Sequence, residues 1–224
     1  MNKMKTTGLT REIILWVIIL IPLVYLAWVW NDLPERVPVH FNLKGEADGW
    51  AGKTAMIFIV LGTTALLNLI LLAVPYIDPK RKLTYMGSKY HQLRFILVIF
   101  MTALAMFIIH SALNPDTFQL NALLILIGGL FIALGNYFQA VKPNYFIGIR
   151  TPWTLESEQV WRKTHRLGGI LWIAGGLVMI LLALFPDSVT RQAIFLATVA
   201  ILVVVPLVYS FIEFRKEQRL QRQS

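Results

Sequence analysis

The chain has 224 residues, 57% of them apolar and 15% charged, and no cysteine. Soluble domains usually carry about a quarter charged residues, so this chain is short of polar surface. The missing thiols exclude disulfides, thiol redox chemistry and thiolate metal sites. The net charge of +9 would suit nucleic acid if it were spread over a face, but the basic residues sit at the ends of apolar runs. They are expected to set topology, with no direct nucleic-acid contact.

Six apolar segments follow one another at 12–30, 54–76, 93–113, 120–140, 167–186 and 192–213. Each approaches the ~20 residues that cross a bilayer. Backbone groups in lipid must bond within their own segment, which predicts helices. The first run is longer than the ~7–15 apolar residues of a signal peptide and has no small-residue cleavage site after it, so it is expected to stay as a span. The predicted fold is an all-α membrane protein with six transmembrane helices. It reads as a single integral membrane domain over 1–224. A first helix pair (12–76) carries an outer loop at 31–53, and a four-helix part (93–213) carries a cytoplasmic loop at 141–166.

Charge asymmetry orients the spans. Of the 21 Lys and Arg, all but Arg36, Lys44, Lys53 and Arg191 fall on the side of the amino terminus. Both termini are therefore expected in the cytoplasm, in a multi-pass protein of the cell membrane whose first partner is the lipid bilayer. The 77–92 connection is basic and suits contact with anionic lipid. Gly128 and Gly135 lie seven apart, as do Gly168 and Gly175, and Gly169 and Gly176. Seven residues is close to two turns, so each pair shares a face and lets helices approach closely.

In the outer loop, Arg36-Val-Pro-Val-His-Phe-Asn-Leu-Lys44 alternates apolar and polar residues. This predicts an extended segment with Val37, Val39, Phe41 and Leu43 on one greasy face, laid against the helix ends. Pro38 cannot donate to a ladder, which limits it to an edge strand. Gly45, Asp48-Gly49 and Gly52 read as turns. His40 with Glu46 and Asp48 has the chemistry of a metal site but no distinctive ligand spacing, and a hydrogen-bonded loop histidine is the favoured reading. No metal or cofactor is expected.

The cytoplasmic loop contains Gly148-Ile-Arg-Thr-Pro152, in which the proline keeps Thr151 extended. Thr154 is placed to cap a helix with Glu156 and Glu158 in its first turn and Arg162, Lys163, His165 and Arg166 in its last, matching the macrodipole. This helix is expected to lie at the interface and to run into the fifth span at Leu167. Two readings stand side by side. In one, the loop is a membrane-surface helix with solvated charges. In the other, Arg150, Trp153, Glu156, Trp161, Thr164 and His165 form a polar, aromatic docking surface. Neither a nucleophile–base–orienter set nor a phosphate loop is present, and no HExxH motif occurs, so the chain is not expected to be an enzyme. A small-molecule or ion transporter or channel is the alternative. Its candidates are few: His110, Asn68, Asn136 and Glu213, with no acidic or basic residue at mid-span.

Asn144-Tyr-Phe-Ile-Gly-Ile-Arg-Thr-Pro-Trp-Thr-Leu155, with Val160-Trp161, Thr164-His165 and Gly168-Gly169 after it, resembles the signature of the SdpI immunity-protein family. Leu33-Pro34, Val37-Pro-Val-His-Phe41, Gly45, Asp48-Gly-Trp50 and Lys53 resemble the short domain of unknown function often found ahead of that signature. The resemblance implies a bacterial six-span protein that protects its producer from a secreted toxin peptide. In the family's best-known setting, the protein also holds a cytoplasmic transcriptional repressor at the membrane. Joined to this resemblance, the docking-surface reading marks Asn144, Gly148, Arg150, Thr151, Pro152, Trp153, Thr154, Glu156, Trp161, Thr164 and His165 as partner-binding on the inside. On the outside the resemblance marks Pro38, His40, Phe41, Gly45, Asp48 and Trp50.

Overall fold

A computed structural model describes residues 2–42, 46–78, 83, 86–114 and 120–223, with side chains from Gly8 onward. The elements are α1 (Asn2–Trp28), β1 (Arg36–Phe41), β2 (Ala47–Gly52), α2 (Ala55–Leu61), α3 (Leu67–Ile77), α4 (Ser88–Leu113), α5 (Leu120–Phe138), α6 (Pro152–Glu156), α7 (Glu158–Leu182) and α8 (Val189–Gln221). A wide π turn, Gly62–Leu66, joins α2 to α3. Six helical stretches are long and apolar enough to cross a membrane: Gly8–Trp28, Ala55–Ile77, Ser88–Leu113, Leu120–Phe138, Glu158–Leu182 and Val189–Gln221. Val24, Phe58, Ile70, Leu181 and Val203 leave half or more of their surface uncovered, which suits side chains whose solvent is lipid.

The spans fall where the apolar runs predict them; the helices of the first and third begin earlier, at Asn2 and Ser88, and those of the fifth and sixth also extend beyond their runs. The fifth begins at Glu158 rather than Leu167, because Ser157 accepts the Val160 N–H and caps the helix. The sixth is 33 residues long, or about 50 Å at 1.5 Å per residue. That exceeds a hydrocarbon layer of ~30 Å, so Arg215, Lys216 and Arg219 belong to turns that outrun it.

The chain divides into two compact units, Met1–Leu72 with Arg94–Leu126, and Ala73–Leu93 with Ile127–Ser224. In the first unit, Leu26, Val29, Leu33 and Val37 pack with Met56, Val60, Ala105, Ile109 and Ala112. A second cluster joins Leu15 and Ile19 to Val98.

The outer loop is an antiparallel hairpin, pairing Arg36 with Gly52, Val37 with Ala51, Pro38 with Trp50, His40 with Gly49 and Phe41 with Ala47. This corrects the sequence reading twice. Asp48-Gly49 and Gly52 lie in β2 and are not turns. The alternation also breaks, because the register slips between Pro38 and His40; Val37 and Pro38 are both buried while Val39 points out. Leu43, Lys44 and Gly45 lie outside the described residues. Gly49 is dictated by its neighbour, since a Cβ there would sit 2.8 Å from the His40 Cβ.

In the second unit the paired glycines do what their spacing predicts. A Cβ on Gly128 would stand 2.6 Å from the Gly176 carbonyl oxygen, and one on Gly135 would stand 2.7 Å from that of Gly169. Backbone therefore meets backbone along α5 and α7, a packing that only hydrogen side chains permit. Gly175 receives Leu202 of α8.

Candidate functional site

Between α5 and α6 the chain leaves helical geometry, and buried polar side chains hold the connection. Asn144 is 1% exposed. Its Oδ1 accepts the N–H groups of Phe146 (2.8 Å) and Ile147 (2.7 Å), and its Nδ2 donates to the carbonyls of Lys142 (2.8 Å) and Ile147 (3.1 Å). The side chain thus supplies the bonds that a loop at this depth lacks. Gly148 follows with φ +106, a backbone region that side chains disfavour. A Cβ there would also run into His165 Nε2.

His165 ties the loop to α7. Nε2 accepts the Ile149 N–H at 3.0 Å, and Nδ1 faces the Trp161 carbonyl at 2.9 Å. An acceptor at Nε2 and a donor at Nδ1 define one neutral tautomer. The ring stacks on Trp161 with centroids 4.0 Å apart. Trp161 is fully buried and donates Nε1–H to the Val141 carbonyl at 2.8 Å.

The short helix α6 is capped by Thr151, whose Oγ1 accepts the Thr154 N–H at 3.1 Å, while Thr154 Oγ1 accepts the Thr151 N–H at 2.8 Å. The reciprocal bonds form a capping box. Thr154 is therefore its third residue and not the cap predicted from sequence, because Pro152 fixes the helix start one residue after Thr151. Thr151 meets Ser210 of α8 through hydroxyls 3.1 Å apart, and Trp153 packs on Phe211 with ring centroids at 5.0 Å. Ser157 donates to Glu217 at 2.5 Å. Glu213 is 7% exposed and lies between Lys163 (2.6 Å) and Lys216 (2.9 Å).

These contacts sort the sequence-marked residues. Asn144, Thr151, Thr154, Trp161, Thr164 and His165 are buried; all of them except Thr164 make the bonds that shape the loop. Gly148 and Trp153 are partly covered, while Arg150, Pro152 and Glu156 are exposed. Arg150 donates to the Tyr145 carbonyl, which steadies the guanidinium without hiding it. Tyr145 and Leu155, exposed to about the same extent, add apolar surface nearby. Sequence reasoning missed Val141, Ser157, Ser210 and Glu217 as partners. Val141 acts through its backbone carbonyl, which side-chain type does not signal, and two serines and a glutamate look like ordinary polar residues at or beyond the ends of apolar runs.

On the hairpin, His40 Nδ1 and Asp48 Oδ1 are 2.5 Å apart and exposed. Asn42 and Glu46 clasp the far end: Asn42 Nδ2 donates to Glu46 at 2.8 Å, and the Glu46 N–H returns to Asn42 Oδ1 at 3.0 Å. Among the described residues, no group of three His, Asp or Glu side chains could hold a metal ion. Trp50 is exposed, Phe41 half-buried and Pro38 buried; Gly45 is outside the described residues. Beside β1 an apolar cavity of about 400 Å³ is lined by Pro38, His40, Phe41, Ile59, Phe107 and Leu123, among others. Its walls suit aliphatic or aromatic side chains of a ligand, and His40 and Asn42 supply polarity at its edge.

The resemblance read from the motifs is borne out by comparison with known proteins. Residues 140–210 match the SdpI/YfhL protein family, and residues 17–64 match the domain of unknown function DUF1648. The chain is 26% identical over 186 residues to the immunity protein SdpI of Bacillus subtilis (strain 168), an alignment covering 81% of this chain and 83% of that one. No solved structure matches. With six helices long and apolar enough to cross a membrane, the chain is a multi-pass membrane protein.

Proposed function

We propose that this chain is a membrane immunity protein that protects its producer from a secreted toxin peptide. The observation that carries this reading is the match to an immunity protein over four-fifths of both chains. It includes the stretch whose Asn144, Gly148, Thr151 and His165 make the ordered loop described above. Both termini lie in the cytoplasm in this reading, on the strength of the basic-residue asymmetry. The hairpin with His40, Asp48 and Trp50, and the cavity beside it, then face outward, where a secreted peptide arrives. The loop bearing Arg150, Pro152, Trp153 and Glu156 faces inward and docks a cytoplasmic repressor once toxin is present.

Such signalling requires the toxin to bind two bundle arrangements with different affinity. Expressing the chain in a toxin-sensitive host and challenging it with the secreted peptide tests protection. Survival should rise with expression, and unchanged killing at verified membrane abundance would overturn the reading. A pull-down from membranes with and without the peptide tests the repressor arm. A cytoplasmic partner should be retained only when peptide is present, and the same captures under both conditions would remove that arm.

A further inference from the structure

The second span carries a surplus residue, and a buried ion cluster reads where that surplus sits. Met56, Val60, Thr64 and Asn68 are all buried, a stripe with a repeat of four. An α-helix turns about 100° per residue, so twelve residues would carry Asn68 about 120° past Met56. The π turn Gly62–Leu66 takes up one residue without advancing the helix by its usual angle. The error falls to about 20°, and Asn68 stays on the buried face. Thr63 and Thr64 brace the wide turn, donating to the Ile59 and Val60 carbonyls at 2.7 Å each.

Asn68 meets a charge there. Arg94 of α4 is 2% exposed at the start of the apolar run of its helix, inside the span that begins at Ser88. It grips Glu12 of α1 with two bonds (2.6 and 3.0 Å) and donates to Asn68 Oδ1 at 2.9 Å. Three spans thus converge on one guanidinium. A buried ion pair is weak grounds for stability, whereas ionisable groups inside a membrane mark functional positions. The bonds are also unequal. Among the described residues Glu12 is the ion-pair partner of Arg94, so withdrawing Asn68 breaks one hydrogen bond and strands no charge. The Nδ2 of Asn68 and the Nε of Arg94 have no partner, so the bond to Asn68 closes no larger network.

We propose that the second span is a two-register helix, in which the π turn and the Glu12–Arg94–Asn68 clasp hold one state. Relaxation of the π turn to α geometry rotates α3 by about 100°, removes Asn68 from Arg94 and brings Leu67 to the buried face. In the immunity reading, on which this use of the device rests, toxin binding shifts the balance between the registers.

Two variants test it in the full-length protein. Deleting Thr63 removes the surplus residue, leaving a plain α-helix with Asn68 still facing Arg94 and no second register. The deletion should accumulate in membranes and lose protection at least tenfold in survival. The combined G62A/T63A/T64A variant keeps the length but removes the braces. A spin label on Leu67→Cys, the only cysteine present, should then lose oxygen accessibility. Full protection by the deletion variant overturns the proposal. So does an unchanged Leu67 label in the triple variant, which also decides the matter if the deletion fails to accumulate. Failure of the parent chain to protect would instead strike the immunity reading and leave the label experiment standing.

Discussion

His165 accepts the backbone N–H of Ile149 at 3.0 Å through Nε2, sixteen residues along the chain, and its other ring nitrogen faces the Trp161 carbonyl. One imidazole thus fixes both the end of an irregular loop and its own orientation on α7. Replacing it with alanine leaves the Ile149 N–H unpaired in a half-buried setting, at a cost of about 1–3 kcal/mol. Gly148→Ala should act in the same direction, because φ +106 disfavours a side chain and the methyl would meet His165. Both variants should show lower melting temperatures in detergent and faster proteolysis near residues 144–150. Unchanged proteolysis in His165→Ala would show that the bond does not order the loop.

Trp161 and Arg150 separate shape from contact. Both read from sequence as members of one docking surface, yet Trp161 is fully buried and Arg150 is exposed. Trp161→Ala should cost about 3–5 kcal/mol through the cavity it leaves, and membrane abundance should drop. Arg150→Ala and Glu156→Ala should leave abundance as it is and weaken retention of a cytoplasmic partner. Quantifying the membrane protein alongside the pull-down distinguishes the two. Equal loss of abundance in Arg150→Ala would make that arginine structural.

The difference between these residues explains what was legible in the chain. Spans were readable because lipid imposes one requirement on every residue in them, and the Gly128/Gly135 and Gly169/Gly176 spacing was readable because close backbone approach admits only small groups. The loop was different. Its polar residues, including Asn144, Thr154 and His165, look the same in sequence whether they face a partner or satisfy backbone. Only the packing of α7 and α8 decides. The clasp was hidden for a similar reason. Glu12 and Arg94 stand at the ends of their apolar runs, where charges ordinarily mark topology, and the bond between them spans 82 positions. The π turn that aims Asn68 at them leaves no composition signal.

The α5–α7 seam has a steep dependence on side-chain size. With the Gly169 carbonyl oxygen 2.7 Å from a Cβ on Gly135, Gly135→Leu must push the helices apart, and overpacking of this sort costs about 1–3 kcal/mol. Gly129 has nothing within 4 Å of such a Cβ, so Gly129→Leu is the matched control on the same helix. Thermal unfolding in detergent should show a drop for Gly135→Leu and almost none for Gly129→Leu. Equal behaviour would mean that the helices do not meet along this line.

The His40–Asp48 pair is exposed on both sides, and such pairs contribute less than about 1 kcal/mol. Asp48→Asn should therefore barely change the melting temperature. If the hairpin meets the toxin, His40→Ala and Trp50→Ala should still reduce survival under challenge at unchanged abundance. A large thermal effect from Asp48→Asn would assign the pair to the fold and not to recognition.

Orientation decides which of these surfaces meets which partner, and the absence of cysteine makes it directly measurable. Glu156 and Trp50 are both exposed, one in the 141–166 loop and one on the hairpin, so single cysteines at either place should react readily with a soluble thiol reagent. The asymmetry of the basic residues predicts the first inside and the second outside. In intact cells, an impermeant maleimide should label Trp50→Cys and spare Glu156→Cys until the membrane is opened. An even number of crossings separates neither terminus from the other, so both ends should behave like position 156. Labelling of Glu156→Cys from outside would invert the arrangement: the loop would then be available to a secreted peptide and the hairpin to the cytoplasm, and the partners assigned to each would have to change places.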